Sequence, residues 1–447
     1  MILFIFFAVI RFWFLFNSCS QHPYHATKLG IFENTDSLIF LSFTRIFERS
    51  LNDDVRSIEL DSNIAKYSFT ILIFLLFFNS FYAQQESKPT NVIFYLSDDQ
   101  DLLDYGVYGN PKVETSNADV LATQGIKFTN FYTGQAICAP SRSQIFTGMY
   151  PVKNGCMANH ISVKPNIKSI ASLLKESGYE VVLAGKSHVK PNKVFDWTHY
   201  FPKVNNRYLP LEKIDDYLKN VNKPFCLIIA SDYPHGPFPK TDNYNKADIF
   251  KLPYDPSYVG NHKPGYYQNI QDDNDQLGKV LEMVDKHGHE ENSMFIYASD
   301  HGLSGKWSLQ EQGIRLPFIV RWPGKIKPNT TSETLLTLVD VLPTILEVSK
   351  TKIPREIDGK SFVESLKGDD KQINQYIYGV ATRQNIRECK IFPSRMVRGK
   401  RFKLIRNFNS IEVVNSNLGD NPIINKFAKI GAESFPNVPY EELYDLE

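Results

Sequence analysis

Four short runs of apolar, mostly β-branched or aromatic residues punctuate the chain: Asn91 to Leu96, Val181 to Ala184, Pro224 to Ala230 and Asn292 to Ala298. Runs of this length with no alternation suit strands buried on both faces, as in a parallel sheet covered by helices. Between them lie helical patterns, Ser169 to Tyr179 and the long amphipathic stretch Tyr267 to Lys286, so strands and helices alternate in the α/β manner. Near the end the pattern changes. Alternation over Arg395 to Ile405 predicts strands of a small antiparallel sheet covering one edge of the larger body.

Each buried run stops at a polar cluster. Ser97-Asp98-Asp99-Gln100 follows the first, Gly185-Lys186-Ser187-His188 the second, Ser231-Asp232-Tyr233-Pro234-His235-Gly236-Pro237 the third and Ser299-Asp300-His301-Gly302 the fourth. Open α/β sheets place their sites at the carboxyl ends of strands, so these clusters are candidates to meet. The prolines flanking His235 predict that the third strand ends before them and gives way to an irregular loop. Taken singly, each cluster has a plain reading: a solvated turn or helix cap for the paired acids, a surface Lys-x-His, a turn histidine.

One further stretch organises the rest. Cys138-Ala139-Pro140-Ser141-Arg142 follows a turn-like Thr133-Gly134-Gln135 and enters a helical Ser141 to Thr147. A reactive group there stands at a helix N-terminus, where Pro140 is tolerated and free N–H groups face an anion. By itself a cysteine before a proline reads as a buried thiol.

The N-terminal 83 residues do not read as a globular fold. Met1 to Phe16 is almost continuously apolar, with Asn17-Ser18-Cys19 suggesting a lipoprotein cleavage site. A second signal-like segment, Lys66 and then Phe69 to Phe78, is short for a membrane span and predicts export with cleavage near Ala83. With no methionine between Met1 and Met149, the residues up to about Ile64 read as an upstream extension unless translation starts at another codon. The expected organisation is 1–83 extension and signal, 84–345 catalytic domain and 346–447 C-terminal subdomain.

Composition narrows the partners. The 447 residues carry a formal net charge of +1, so no global field draws nucleic acid or an acidic membrane, and anion binding has to be local. Any membrane contact is expected only through the signal or a lipid anchor. Four cysteines remain after the signal, Cys138, Cys156, Cys226 and Cys389, without metal-type spacing or a disulfide framework.

Together, Cys138-x-Pro-Ser-Arg142 with Ser143 to Gly148 and the four strand-end clusters in this order resemble the type I, formylglycine-dependent sulfatases. The resemblance covers nearly all of Asn91 to Glu447. It implies an alkaline-phosphatase-like mixed α/β sheet flanked by helices, with a smaller C-terminal antiparallel sheet. It also implies that Cys138 becomes formylglycine (3-oxoalanine) through a maturation enzyme, either formylglycine-generating or radical. Asp98, Asp99, Asp300 and His301, with residue 138, would hold one divalent cation; three carboxylates suit calcium better than magnesium or manganese. His301 puts nitrogen where many members have an amide oxygen. In the reaction so implied, Arg142 holds the aldehyde hydrate, Lys186 and Lys306 meet the sulfate, His188 deprotonates the hydrate and His235 protonates the leaving oxygen.

The short step from His301 to Lys306 resembles the heparan N-sulfatase (sulfamidase) branch. So do Asn154-Gly155 with His160, the Lys186 block with Pro191, and Phe392-Pro393-Ser394-Arg395; His160 and Arg395 are the expected substrate contacts. The implied activity is hydrolysis of sulfate esters or sulfamates of a saccharide, in the periplasm or outside the cell. Two alternatives stay open: a phosphodiesterase or phosphonate hydrolase of the same superfamily, and a non-catalytic glycan-binding relative. Members of that family usually continue past the point where Glu447 ends this chain, so a trimmed or incomplete C-terminal subdomain is expected.

Overall fold

A computed structural model describes residues 88–249, 263–369, 371–381, 394–408 and 439–447. The two N-terminal apolar segments, Cys389 and Phe392-Pro393 lie outside these residues. Among the described residues, no helix is long and apolar enough to cross a membrane.

The main sheet contains nine strands: β1 (Asn91–Asp98), β2 (Ile126–Tyr132), β3 (Glu180–Gly185), β4 (His199–Pro202), β5 (Phe225–Pro234), β6 (Ser293–Ser299), β7 (Arg315–Arg321), β8 (Thr330–Ser332) and β9 (Leu336–Thr337). Their order is β4-β3-β5-β1-β6-β7-β2-β8, with β9 also on β2. The centre is parallel, β1 pairing with both β5 and β6, while β7 runs antiparallel between β6 and β2. β1 and β5 are buried along their whole lengths, which is why their sequences show no polar alternation.

Helices cover both faces. On one side α2 (Cys138–Thr147), α3 (Ile170–Glu176) and α6 (Val341–Val348) pack on Val92, Phe94, Leu96, Ile228 and Ile296. On the other, α1 (Ser116–Thr123), α4 (Leu211–Asn220) and α5 (Pro264–Lys286) pack on Ile93, Tyr95, Leu227, Ile229 and Tyr297. The alternating side chains of β1 therefore divide two cores. That alternation also sends Asp98 toward α2 and Ser97 toward α5.

A second sheet of four antiparallel strands, β10 (Ile377–Ala381), β11 (Ser394–Arg398), β12 (Phe402–Asn407) and β13 (Glu441–Asp445), matches the predicted small sheet. Its apolar face, with Ile377, Ala381, Met396 and Ile405, packs on Tyr132, Ala136, Leu309 and Ile314. Residue 346, the expected start of the C-terminal subdomain, falls inside α6 and thus within the main core.

One expected boundary is corrected. β5 does not end at Ala230 but continues through Pro234, which pairs with Asp98 after an irregularity in which residues 231–233 of β5 oppose the single Ser97 of β1. Proline is accommodated because it is the last residue of the strand, where a missing N–H interrupts no further ladder.

Candidate active site

The helix α2 is polar in sequence yet buried at every position. It tolerates this because its polar groups bond one another and their surroundings: Ser143 donates to the Pro140 carbonyl (2.7 Å), Thr147 to the Ser143 carbonyl (2.6 Å), and Gln144 accepts from the Gly134 amide (2.9 Å). Gly148 at φ 63° ends the helix in the left-handed region. Cys138 is the first helical residue after extended Ile137, so it stands at the amino end as expected and has the Ala139 amide bonded to Asn159 beside it (3.2 Å).

Around Cys138 the strand ends deliver the predicted acids. Its sulfur lies 3.3 Å from His301 Nε2, and that nitrogen lies 3.1 Å from Asp99 Oδ1. Arg142, fully buried, donates from Nε to Asp300 (3.0 Å), from Nη2 to Asp98 (3.3 Å) and from Nη1 to the Lys186 carbonyl (3.0 Å). The amides of His301 (2.9 Å) and Asp99 (3.2 Å) donate to the other oxygen of Asp300. Asp99 takes φ 66°, an uncommon conformation for a residue with a Cβ and a local sign of strain.

Two lysines close the cluster. Lys186 bonds Asp98 and lies 3.4 Å from Asp232, while Lys306 donates to both oxygens of Asp99 (3.0 and 2.8 Å). The backbone brings them there by close approaches that exclude a Cβ. Gly185, at φ 99°, turns against the Ala230 carbonyl just before Lys186, and Gly305 abuts Gly313 just before Lys306.

Burial pushes the Asp98 carboxyl up, but Lys186 and Arg142 outweigh it and hold the group well below the usual range. For Asp99, burial is likewise overcome, here by His301 and Lys306. Asp300 goes the other way, raised by burial and by the charge of Asp98. His301 resists its own burial because Asp300 and Asp99 face it, which lifts it to about 10. Burial and the charges of Lys186 and Arg142 push His188 down to about 2.

His235 sits at the mouth, 37% exposed, with Nε2 3.8 Å from Asp99. Its Nδ1 donates to the Gly236 carbonyl (2.8 Å), which leaves Nε2 turned toward Asp99. His188 Nε2 meets His160 Nδ1 at 3.1 Å, so these two predicted residues are joined. Arg395 is not brought in. It lies on β11, donates to the Ser394 carbonyl (3.0 Å) and sits over Phe408, with no contact to the cluster among the described residues. Asp232, given no role from sequence, proves to be the second acid on Lys186; only its place in the third strand-end cluster could have marked it.

Donor atoms of Asp99, Cys138 and His301, and of Asp98, Cys138 and Asp300, lie within 4.8 Å of one another in each set, all buried. Because His301 Nδ1 donates to the Gly302 carbonyl (3.1 Å), its Nε2 lone pair faces the cluster when the ring is neutral. This oxygen-rich donor set fits a divalent cation.

A family model described as sulfatase matches residues 90–351, and another, the C-terminal region of N-sulphoglucosamine sulphohydrolase, matches 299–421. Over 372 residues the chain is 50% identical to an ulvan-active sulfatase of Formosa agariphila, covering 81% of this chain and 74% of that one. The protein belongs to the sulfatase family. The second match supports the sulfamidase-like branch within this family. The fold agrees: a solved structure in complex with its substrate D-glucosamine-2-N,6-O-disulfate aligns with TM-score 0.60 at 21% identity, over 80% of this chain and 91% of that one. The phosphonate monoester hydrolase of Agrobacterium radiobacter shares the fold at TM-score 0.60 and 15% identity, over 71% and 87% of the two chains. This sulfatase is accordingly a sulfuric ester hydrolase.

Proposed function

We propose that the protein releases sulfate from oligosaccharides of an ulvan-like sulfated polysaccharide after export to the periplasm or cell surface. The observation that carries this reading is the placement of residue 138 at the buried amino end of α2, between His301 and two lysines already seated on carboxylates, in a chain half identical to an ulvan-active sulfatase.

In this reading Cys138 is converted to formylglycine by a maturation enzyme, and Asp98, Asp99, Asp300, His301 and residue 138 would hold a calcium ion. The hydrated aldehyde would supply a hydroxyl nucleophile, and the cation held by these residues would supply Lewis-acid polarisation. The chain's own groups do the rest. Lys186 and Lys306 set two positive charges where negative charge develops on sulfate, in a buried setting that strengthens each. Arg142 fixes Asp98 and Asp300 side by side and so keeps the donor geometry. Burial and the charges of Lys186 and Arg142 keep His188 neutral, the form in which it would act as the base toward the hydrate, and sulfate bound on Lys186 would offset part of the charge that weakens it. His235 Nε2, at the open mouth, is placed to protonate the leaving oxygen.

The test is sulfate release from ulvan, glycosaminoglycan and N-sulfated glucosamine oligosaccharides beside an aryl sulfate, with the mass of the peptide bearing residue 138. Turnover of ulvan fragments with formylglycine at 138 is expected. Unmodified cysteine in active enzyme would overturn the chemistry, and failure on every saccharide with activity on the aryl sulfate would overturn the substrate.

A further inference from the structure

Next to the catalytic cluster, one carboxylate gathers more positive charge than it balances. Asp232, on β5, has Lys186 3.4 Å from Oδ1, and Lys203 at 3.0 Å and Arg207 at 3.8 Å from Oδ2. Lys186 is shared with Asp98. Among the described residues, neither Lys203 nor Arg207 pairs with a second acid. A single negative charge thus serves two cations and part of a third.

These cations are held rather than loose. Arg207 lies 3.9 Å over the ring of Tyr233 and donates from Nη1 to the Gly236 carbonyl (3.0 Å), one residue from His235. The segment that carries them is a tight turn in which Val204 and Tyr208 exchange both backbone hydrogen bonds (2.9 Å each) and Asn205 and Asn206 take positive φ. Such pinning lowers the entropy lost when a ligand binds. Lys203 remains 26% and Arg207 14% exposed. Beside them, Tyr208 is half exposed and tilts toward Tyr233. Tyr200, also half exposed, donates to the Gly185 carbonyl that precedes Lys186 (3.3 Å).

Pinned cations with surplus charge, next to open aromatic faces and one carboxylate's width from a sulfate-facing lysine, suit an acidic sugar. Resting on the sulfatase reading, we infer that Lys203 and Arg207 form an anion subsite that takes a second anionic substituent of the substrate, a carboxylate or a sulfate, on the same or the neighbouring ring. The planar guanidinium offers paired N–H donors to such a group, Lys203 adds a point charge, and Asp232 aligns both without neutralising them.

Binding can be read without turnover. The probes are a sulfated disaccharide bearing a uronic acid, its carboxyl-reduced form, and a counterpart with a second sulfate in place of the carboxylate, titrated calorimetrically into the full chain carrying Cys138→Ala. The expected result is that one or both doubly anionic probes bind about tenfold or more tightly than the reduced form, roughly 1.4 kcal/mol. Adding Lys203→Gln or Arg207→Gln should bring that ratio close to one, and Arg207→Lys should leave it intermediate. Which probe shows the preference identifies the anion. A ratio near one in the Cys138→Ala protein, or a preference that survives both glutamine variants, overturns the subsite. A purely structural role for the two cations would weaken all three probes equally, and that outcome also overturns it. Failure of the unsubstituted enzyme to release sulfate would instead count against the sulfatase reading, since the ratio of dissociation constants does not depend on chemistry.

Discussion

The strand β1 carries two buried polar regions on opposite faces, and they solve burial in opposite ways. Toward α2, Asp98 meets Arg142 and Lys186, and with Asp99, Asp300, His301 and Lys306 it forms a dense array of full charges. Toward α5, Tyr95 donates to Asp273 (2.8 Å), while Ser97, Tyr105 and Tyr297 are linked through their hydroxyls at 3.0 to 3.3 Å. In that second region no lysine or arginine pairs with the acid among the described residues, and burial lifts Asp273 to about 7. Charges are retained where cations compensate and a ligand can enter. Where neither holds, hydrogen bonds to near-neutral groups fill the space.

The largest expected difference between the two faces is in activity. Cys138→Ala should lower sulfate release by more than about a thousandfold while leaving the thermal transition of the metal-depleted protein in place, because the substitution removes the nucleophile and one donor of the cation site but no partner of the buried ion pairs. Tyr95→Phe on the other face should leave turnover within about twofold and cost about 1 kcal/mol of stability, one hydrogen bond. Comparable losses of activity from the two substitutions would break the contrast.

The next effect is on stability. Arg142 spans Asp98 and Asp300 with both side chains inaccessible, so Arg142→Met leaves two buried carboxylates short of a partner. The expected cost is about 3–5 kcal/mol in urea unfolding of the metal-depleted protein. A cost below about 1 kcal/mol would show that the ion pairs do not hold the cluster together.

Much of this centre was legible before any coordinates. Strand ends with Asp, Lys-x-His and Asp-His-Gly could be placed because buried parallel strands are marked by uninterrupted apolar runs, and their carboxyl ends converge. What the sequence hid were contacts that depend on backbone bends. Asp232 looked like a loop residue because prolines follow it, yet β5 bulges over residues 231–233, stays paired through Pro234 and puts the acid on Lys186. Lys203 and Arg207 carry no motif, and only a turn with two asparagines at positive φ brings them to the same carboxylate. Arg395 is a different case: register on β11 sets it opposite Val380 and Arg406, with no contact to the cluster among the described residues, so its expected role rests on contact with the sugar.

Metal removal should separate the two faces at a smaller scale. A chelator should abolish activity and lower the melting temperature, by an amount corresponding to about 2.7 kcal/mol for a cation present at a hundred times its dissociation constant. Calcium should restore both. Asp300→Asn should remove most of the chelator's effect on melting, and Asp273→Asn should leave it intact. An unchanged melting curve on verified removal of bound metal would contradict the donor set.

The smallest effect is pH dependence on the α5 side, and its sign follows from Asp273. Burial raises its native value to about 7 from an unfolded value of 3.8. Between these limits the native state holds the proton and the unfolded state has released it, so unfolding loses a proton and stability falls as pH rises. The contribution is complete below about pH 4 and gone once pH passes through about 7, with a slope of at most about 1.4 kcal/mol per pH unit. Asp273→Asn keeps an oxygen for Tyr95 and cannot titrate. Relative to the parent, it should therefore gain stability steadily from pH 5 to pH 7 in urea unfolding at constant ionic strength. A parallel pair of curves would mean that Asp273 is ionised in the folded protein, and that the face opposite the active site carries an uncompensated charge after all.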